Sequence, residues 1–102
     1  MDKESALELA SKYISYLKEN NYDIVKAILF GSFAKGDFDN DSDIDIAVIF
    51  KNLDDKFKTQ VKLFMLTPKF DTRIEPHPID INDFNHNNQF AHEIIKYGIE
   101  IT

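Results

Sequence analysis

Residues 30–50 read FGSFAKGDFDNDSDIDIAVIF: a Gly-Ser pair, an acidic spacer, then an apolar run. Aspartates stand at every second position from Asp37 to Asp45, after which Ile46 to Phe50 carry no charge. Alternate side chains of a strand share a face. A strand over Asp43–Phe50 therefore puts Ile44, Ile46, Val48 and Phe50 in one row and Asp43, Asp45, Ala47 and Ile49 in the other. The first row reads as core. The second begins with two carboxylates about 6–7 Å apart along the chain, and their purpose decides the reading of the protein.

Outward from this stretch the pattern is regular. From Glu4 to about Asn20, Ala6, Ala10, Tyr13, Ile14 and Leu17 recur at helical steps, and Asn20-Asn21 reads as a stop. Asp23–Phe30 (DIVKAILF) is a second apolar strand ending at Gly31, and SFAKG a single helical turn. With Asn52 as N-cap, Leu53, Phe57, Val61, Phe64 and Met65 form another helical stripe, read as core, that fades before Pro68. Asp71–Pro78 is extended, its two prolines suiting an edge strand. A last helix carries Phe90, Ile94 and Tyr97 and stops at Gly98, followed by a short strand or tail, IEIT. The order helix, strand, strand, helix, strand, helix predicts an α/β (α+β) fold, one mixed sheet with helices on one face and the carboxylate face open.

At 102 residues the chain is expected to form a single domain, 1–102. Nine Phe among 43% hydrophobic residues allow a real core, which argues against disorder. The absence of Cys excludes disulfides, thiolate catalysis and Cys-type zinc sites, and fits a cytoplasmic protein. The net charge of −6, with eleven scattered Lys and one Arg, is not that of a chain that binds polymeric nucleic acid by its phosphates. No apolar run approaches the roughly 20 residues of a membrane span, and the acidic start MDKESALELA does not read as a secretory signal.

A calcium loop needs Gly at its sixth position and Glu at its twelfth. Registers starting at Asp37, Asp39 and Asp41 give Ser42/Val48, Ile44/Phe50 and Ile46/Asn52, so all three fail. A solvated loop accounts for Asp37, Asp39 and Asp41. It accounts poorly for Asp43 and Asp45, which alternate with core residues and raise each other's pKa unless a cation lies between them. Mg²⁺, which takes carboxylate oxygens together with substrate phosphates, is the economical answer. Gly31-Ser32, after a strand and opening a helical turn, offers backbone N–H groups and a hydroxyl to an anion.

The segment LFGSFAKGDFDNDSDIDIAV resembles the signature of the nucleotidyltransferase superfamily that includes DNA polymerase β: an apolar-Gly-[Gly/Ser] turn, nine to thirteen residues, then Asp-apolar-[Asp/Glu]-apolar. Within it, the chain is similar to the minimal nucleotidyltransferases, the MntA-type antitoxins of HEPN/MNT toxin–antitoxin pairs. The resemblance implies catalytic, metal-binding roles for Asp43, Asp45 and a third carboxylate on a later strand. Glu75, on an extended segment that places Asp71, Arg73, Glu75 and His77 on one face, is favoured over Asp80, which reads as a cap or turn. It implies nucleotide or phosphate binding at Gly31, Ser32, Lys35 and Ser42, with a surface salt bridge an equal reading for Lys35. Arg73 has two readings, the triphosphate or a neighbouring acid. His77, His86 and His92 show no metal-ligand spacing and are read as surface or cap residues.

The activity implied is AMP transfer from ATP, with two Mg²⁺ ions, to a hydroxyl (a tyrosine) of a HEPN-type partner toxin. The 102 residues hold only the catalytic module, so the acceptor is expected from that partner. Two other readings stand beside it: a non-catalytic antitoxin acting by association, and a small-molecule nucleotidyltransferase of the antibiotic type needing a second chain.

Overall fold

Asp2 starts the first helix by accepting the Ser5 N–H at 2.8 Å. The structure, a computed structural model, describes residues 1–101. Helix α1 (Lys3–Glu19) ends where Asn21 takes a positive φ of 68°, as the Asn pair predicts. It is followed by β1 (Ile24–Phe30), α2 (Ser32–Lys35), β2 (Ile44–Phe50), α3 (Lys56–Leu66), β3 (Ile74–Asp80), α4 (Gln89–Tyr97) and β4 (Ile99–Glu100). The fold is mixed α+β, as expected. Its sheet runs β3-β2-β1-β4, with β1 antiparallel to β2 and β4, and β2 parallel to β3.

The parallel pair needs a crossover, and α3 supplies it. One sheet face, built from Ala27, Leu29, Ile44, Ile46, Val48, Phe50 and Ile74, packs on Ala6, Ala10, Tyr13, Ile14 and Leu17 of α1 and on Leu63 of α3. Burying each large side chain there contributes about 1.5–3 kcal/mol. The Tyr13 hydroxyl donates to the Leu63 carbonyl at 2.8 Å and ties the two helices together. Burial pushes its pKa upward.

Three expectations are corrected. The stripe on α3 is not core: Leu63 is the helix's buried residue, while Phe57 and Met65 are 77% and 74% exposed and Val61 and Phe64 also face outward. The helix turns its Leu63 side to the sheet, which leaves the longer apolar row on the surface. Its cap is Asp55, which accepts the Lys58 N–H at 3.0 Å, and not Asn52. The helices also do not all lie on one face. α4 crosses to the other, where Ile94 packs on Ile28, Ala47, Ile49 and Ile79. Asp45, half-buried, lies toward one end of that face.

β3 is an edge strand, as Pro76 and Pro78 lead one to expect. The Ile44 N–H donates to the Arg73 carbonyl at 2.8 Å, so in this parallel ladder the odd-numbered residues of β3 turn toward β2 and the even-numbered ones outward. Both prolines thus sit where no ladder donor is required. Gln60 of α3 reaches the outward Pro76 carbonyl at 3.4 Å.

Candidate active site

The site forms where three strands end side by side. Antiparallel pairing sets Asp45 of β2 opposite Phe30 of β1, and parallel pairing sets it opposite Glu75 of β3. These pairings follow from register: Ile44 and Ile46 must face the core, so Asp45 between them must face away. Ala47 is opposite His77, which puts His77 one step further along the same face.

The chain enters α2 through Gly31, whose φ of 74° and ψ of −151° suit glycine alone. A Cβ there would also run into the Asp45 carboxylate. Gly31 is therefore glycine for two reasons, its backbone conformation and the carboxylate lying against it.

Asp45, Glu75 and His77 are half-buried, and each offers a ligand atom within 4.8 Å of the other two. His77 Nε2 lies 3.1 Å from Asp45 Oδ1 and 3.9 Å from Glu75 Oε1. Asp43, exposed and just before β2, stands at the rim, near enough to Glu75 to act on it. Burial raises the Glu75 carboxyl above its ordinary value; Asp45 and Asp43 add to the rise, and His77 opposes it. A side chain so placed favours a nearby positive charge. Two carboxylates and an imidazole within ligand distance of one another, with a third carboxylate at the rim, fit a divalent cation.

Phe30, His77 and Phe90 make an aromatic wall beside the carboxylates, with ring centroids 5.0–5.9 Å apart. The wall belongs to β1, β3 and α4, so α4 borders the site as well as covering the sheet.

The other sequence candidates fall as follows. Asp80 lies on the side of β3 that faces α1 and α3, opposite Phe50. It accepts the backbone N–H groups of Leu53 and Asn82, both at 2.9 Å, which hold its carboxyl below the usual range. It caps and is not brought to the cluster. Ser32 is the first residue of α2, directly after Gly31. Lys35 lies over the Tyr97 ring at 5.1 Å, and forms no salt bridge among the described residues. Ser42 closes the acidic loop, its Oγ accepting the Asp39 N–H at 2.8 Å. Arg73 grips Asp71 through Nε at 3.0 Å and a terminal nitrogen at 2.7 Å. That guanidinium holds the Asp71 carboxyl low. His86 and His92 face each other on the surface, 3.3 Å apart. His77 is the member that sequence reasoning missed. The signal was its place on the Glu75 face of an alternating strand.

Residues 11–102 match the family described as Polymerase beta, Nucleotidyltransferase. The chain is 31% identical over 94 residues to protein MJ0141 of Methanocaldococcus jannaschii, provisionally named a protein adenylyltransferase, covering 88% of this chain and 89% of that one. Among solved structures, it resembles a toxin–antitoxin crystal structure with AMP-PNP, with a TM-score of 0.67 and 21% identity over 90% of this chain and 72% of the other. It also resembles a chain in the complex of a tri-AMPylated Shewanella oneidensis HEPN toxin with its MNT antitoxin. There the TM-score is 0.58 and the identity 19%, over 98% of this chain and 71% of the other. The fold, the family match along most of its length and the relative in Methanocaldococcus agree: this chain belongs to the polymerase β nucleotidyltransferase family and is a nucleotidyltransferase.

Proposed function

We propose that the protein transfers AMP from ATP to a hydroxyl, that of a tyrosine, on a HEPN-type toxin in the same cytoplasm, and so acts as its antitoxin. The observation that carries the reaction is the pairing of Asp45 with Glu75 at one end of the sheet, against the Gly31 turn. The name of the Methanocaldococcus relative supports AMP transfer to protein, and the tri-AMPylated Shewanella complex supports the class of acceptor.

Asp43, Asp45 and Glu75 would hold two Mg²⁺ ions, which supply positive charge to the attacking and leaving oxygens of an in-line displacement. The turn at Gly31 and Ser32 receives the triphosphate, its backbone N–H groups and hydroxyl meeting phosphate oxygens. Lys35, one turn further on, extends that contact, and Ser42 keeps the preceding loop closed beside it. The acceptor oxygen bonds to the α-phosphorus as the bond to the bridging oxygen breaks, and pyrophosphate leaves with that electron pair. Glu75, opposite Asp45 at the start of β3, takes the acceptor's proton.

The test is to incubate the protein with Mg²⁺, α-labelled ATP and the HEPN protein encoded beside it. Label on a tyrosine of that protein, with loss of its toxicity, is the expected result. Inhibition of the toxin without label would establish the binding-only antitoxin instead. Transfer to an aminoglycoside but not to protein would establish the small-molecule reading.

A further inference from the structure

We propose that His77 is itself a metal ligand, so that the ion shared by Asp45 and Glu75 has a nitrogen donor, which strengthens the site's hold on Mn²⁺ or Zn²⁺ more than its hold on Mg²⁺. The inference rests on the metal-dependent reading above for its site but not for its reaction. Ligand atoms about 2.0–2.2 Å from an ion stand roughly 3.0 Å apart in an octahedron and 3.4 Å apart in a tetrahedron. His77 Nε2 is already 3.1 Å from Asp45 Oδ1 and 3.9 Å from Glu75 Oε1, each within an ångström of those spacings, and the ligand atoms of all three residues lie within 4.8 Å of one another.

The ring is held for this position. It packs on Phe30 at 5.0 Å and on Phe90 at 5.9 Å, and it projects from the strand that carries Glu75. Its Nε2 edge is therefore directed at the carboxylates by β3 and α4 together. Mg²⁺ is satisfied by carboxylate and water oxygens and gains little from imidazole, whereas Mn²⁺ and Zn²⁺ accept nitrogen readily. The competing view is that His77 merely hydrogen-bonds Asp45 and keeps it in place.

Mn²⁺ binding to the whole protein, without nucleotide, separates the two. Its affinity is measured by electron paramagnetic resonance, nitrogen coupling by electron spin-echo modulation, and Mg²⁺ affinity by competition. Wild type is expected to show ¹⁴N modulation on bound Mn²⁺. His77→Gln, which can keep the hydrogen bond to Asp45, and His77→Phe, which fills the space between the aromatic rings, are expected to lose the modulation. Their Mn²⁺ affinity should fall about 10–100-fold, with a smaller change for Mg²⁺. Absence of ¹⁴N modulation in wild type, or equal Mn²⁺ affinity in folded His77→Gln, overturns the proposal. Modulation without AMP transfer leaves the ligand assignment standing and overturns the function proposed above.

Discussion

Glu75 and Asp80 belong to one strand, five residues apart, yet their carboxyls are driven in opposite directions. Glu75 faces one side of the sheet among Asp43, Asp45 and His77, and burial raises its pKa. Asp80 faces the other side and accepts two backbone N–H groups, which lower its pKa. The strand's pleat makes the difference, since an odd number of residues separates the two. The lesson concerns satisfaction: Asp80 already has its partners within the chain, while Glu75 is left with a demand that a cation meets.

The largest expected effects test whether that contrast is the one between catalysis and capping. Asp45→Asn and Glu75→Gln should each lower AMP transfer by about 10³-fold or more, from several kcal/mol of lost transition-state stabilisation. Asp80→Asn should stay within about threefold of wild type, or ~0.7 kcal/mol of barrier. Single-turnover assays with labelled ATP decide it, and a silent Glu75→Gln beside an inactive Asp80→Asn would reverse the assignment.

Next in size is Gly31→Ala. The strained backbone conformation alone should cost about 1–3 kcal/mol, read as a lower urea midpoint, and the added methyl should displace Asp45 and depress transfer in whatever protein folds.

The smallest effects are in melting temperature against pH, measured without metal. A raised folded-state pKa means that Glu75 favours folding most when protonated, and that this contribution is lost as pH rises through its folded value. Glu75→Gln should therefore melt above wild type at pH 7, with the gap closing below the ordinary value of 4.5. For Asp80 the sign is opposite. Its depressed pKa gives stability above the ordinary 3.8 that is lost as pH falls through the folded value. Asp80→Asn should melt below wild type at pH 7, and that gap should close in strong acid.

Much of the site was legible because it is local. Gly31-Ser32 directly follows β1 and Asp43-Ile44-Asp45 leads into β2, its antiparallel neighbour, so spacing along the chain is close to spacing in space. His77 was legible only as a companion of Glu75 on one strand face; its place beside Asp45 depends on the register with β2, which is settled by tertiary pairing through α3. The outward turn of α3 escaped for a related reason. An apolar stripe shows that one side of a helix is different; it does not say that this side meets the sheet. Phe57, Val61, Phe64 and Met65 have the correct period and face solvent, and the single buried Leu63 is what attaches the helix.

The two prolines of β3 bear on what else the molecule can join. An unprotected border strand invites another chain to continue the sheet, the route to edge-to-edge aggregation. Here the outward positions are Ile74, whose N–H already donates to the Asp71 carbonyl, Pro76 and Pro78, which have none to give, and Asp80. Gln60 occupies the Pro76 carbonyl as well. Among the described residues a foreign strand would find one backbone donor left along the seven residues of β3, so this border resists continuation of the sheet.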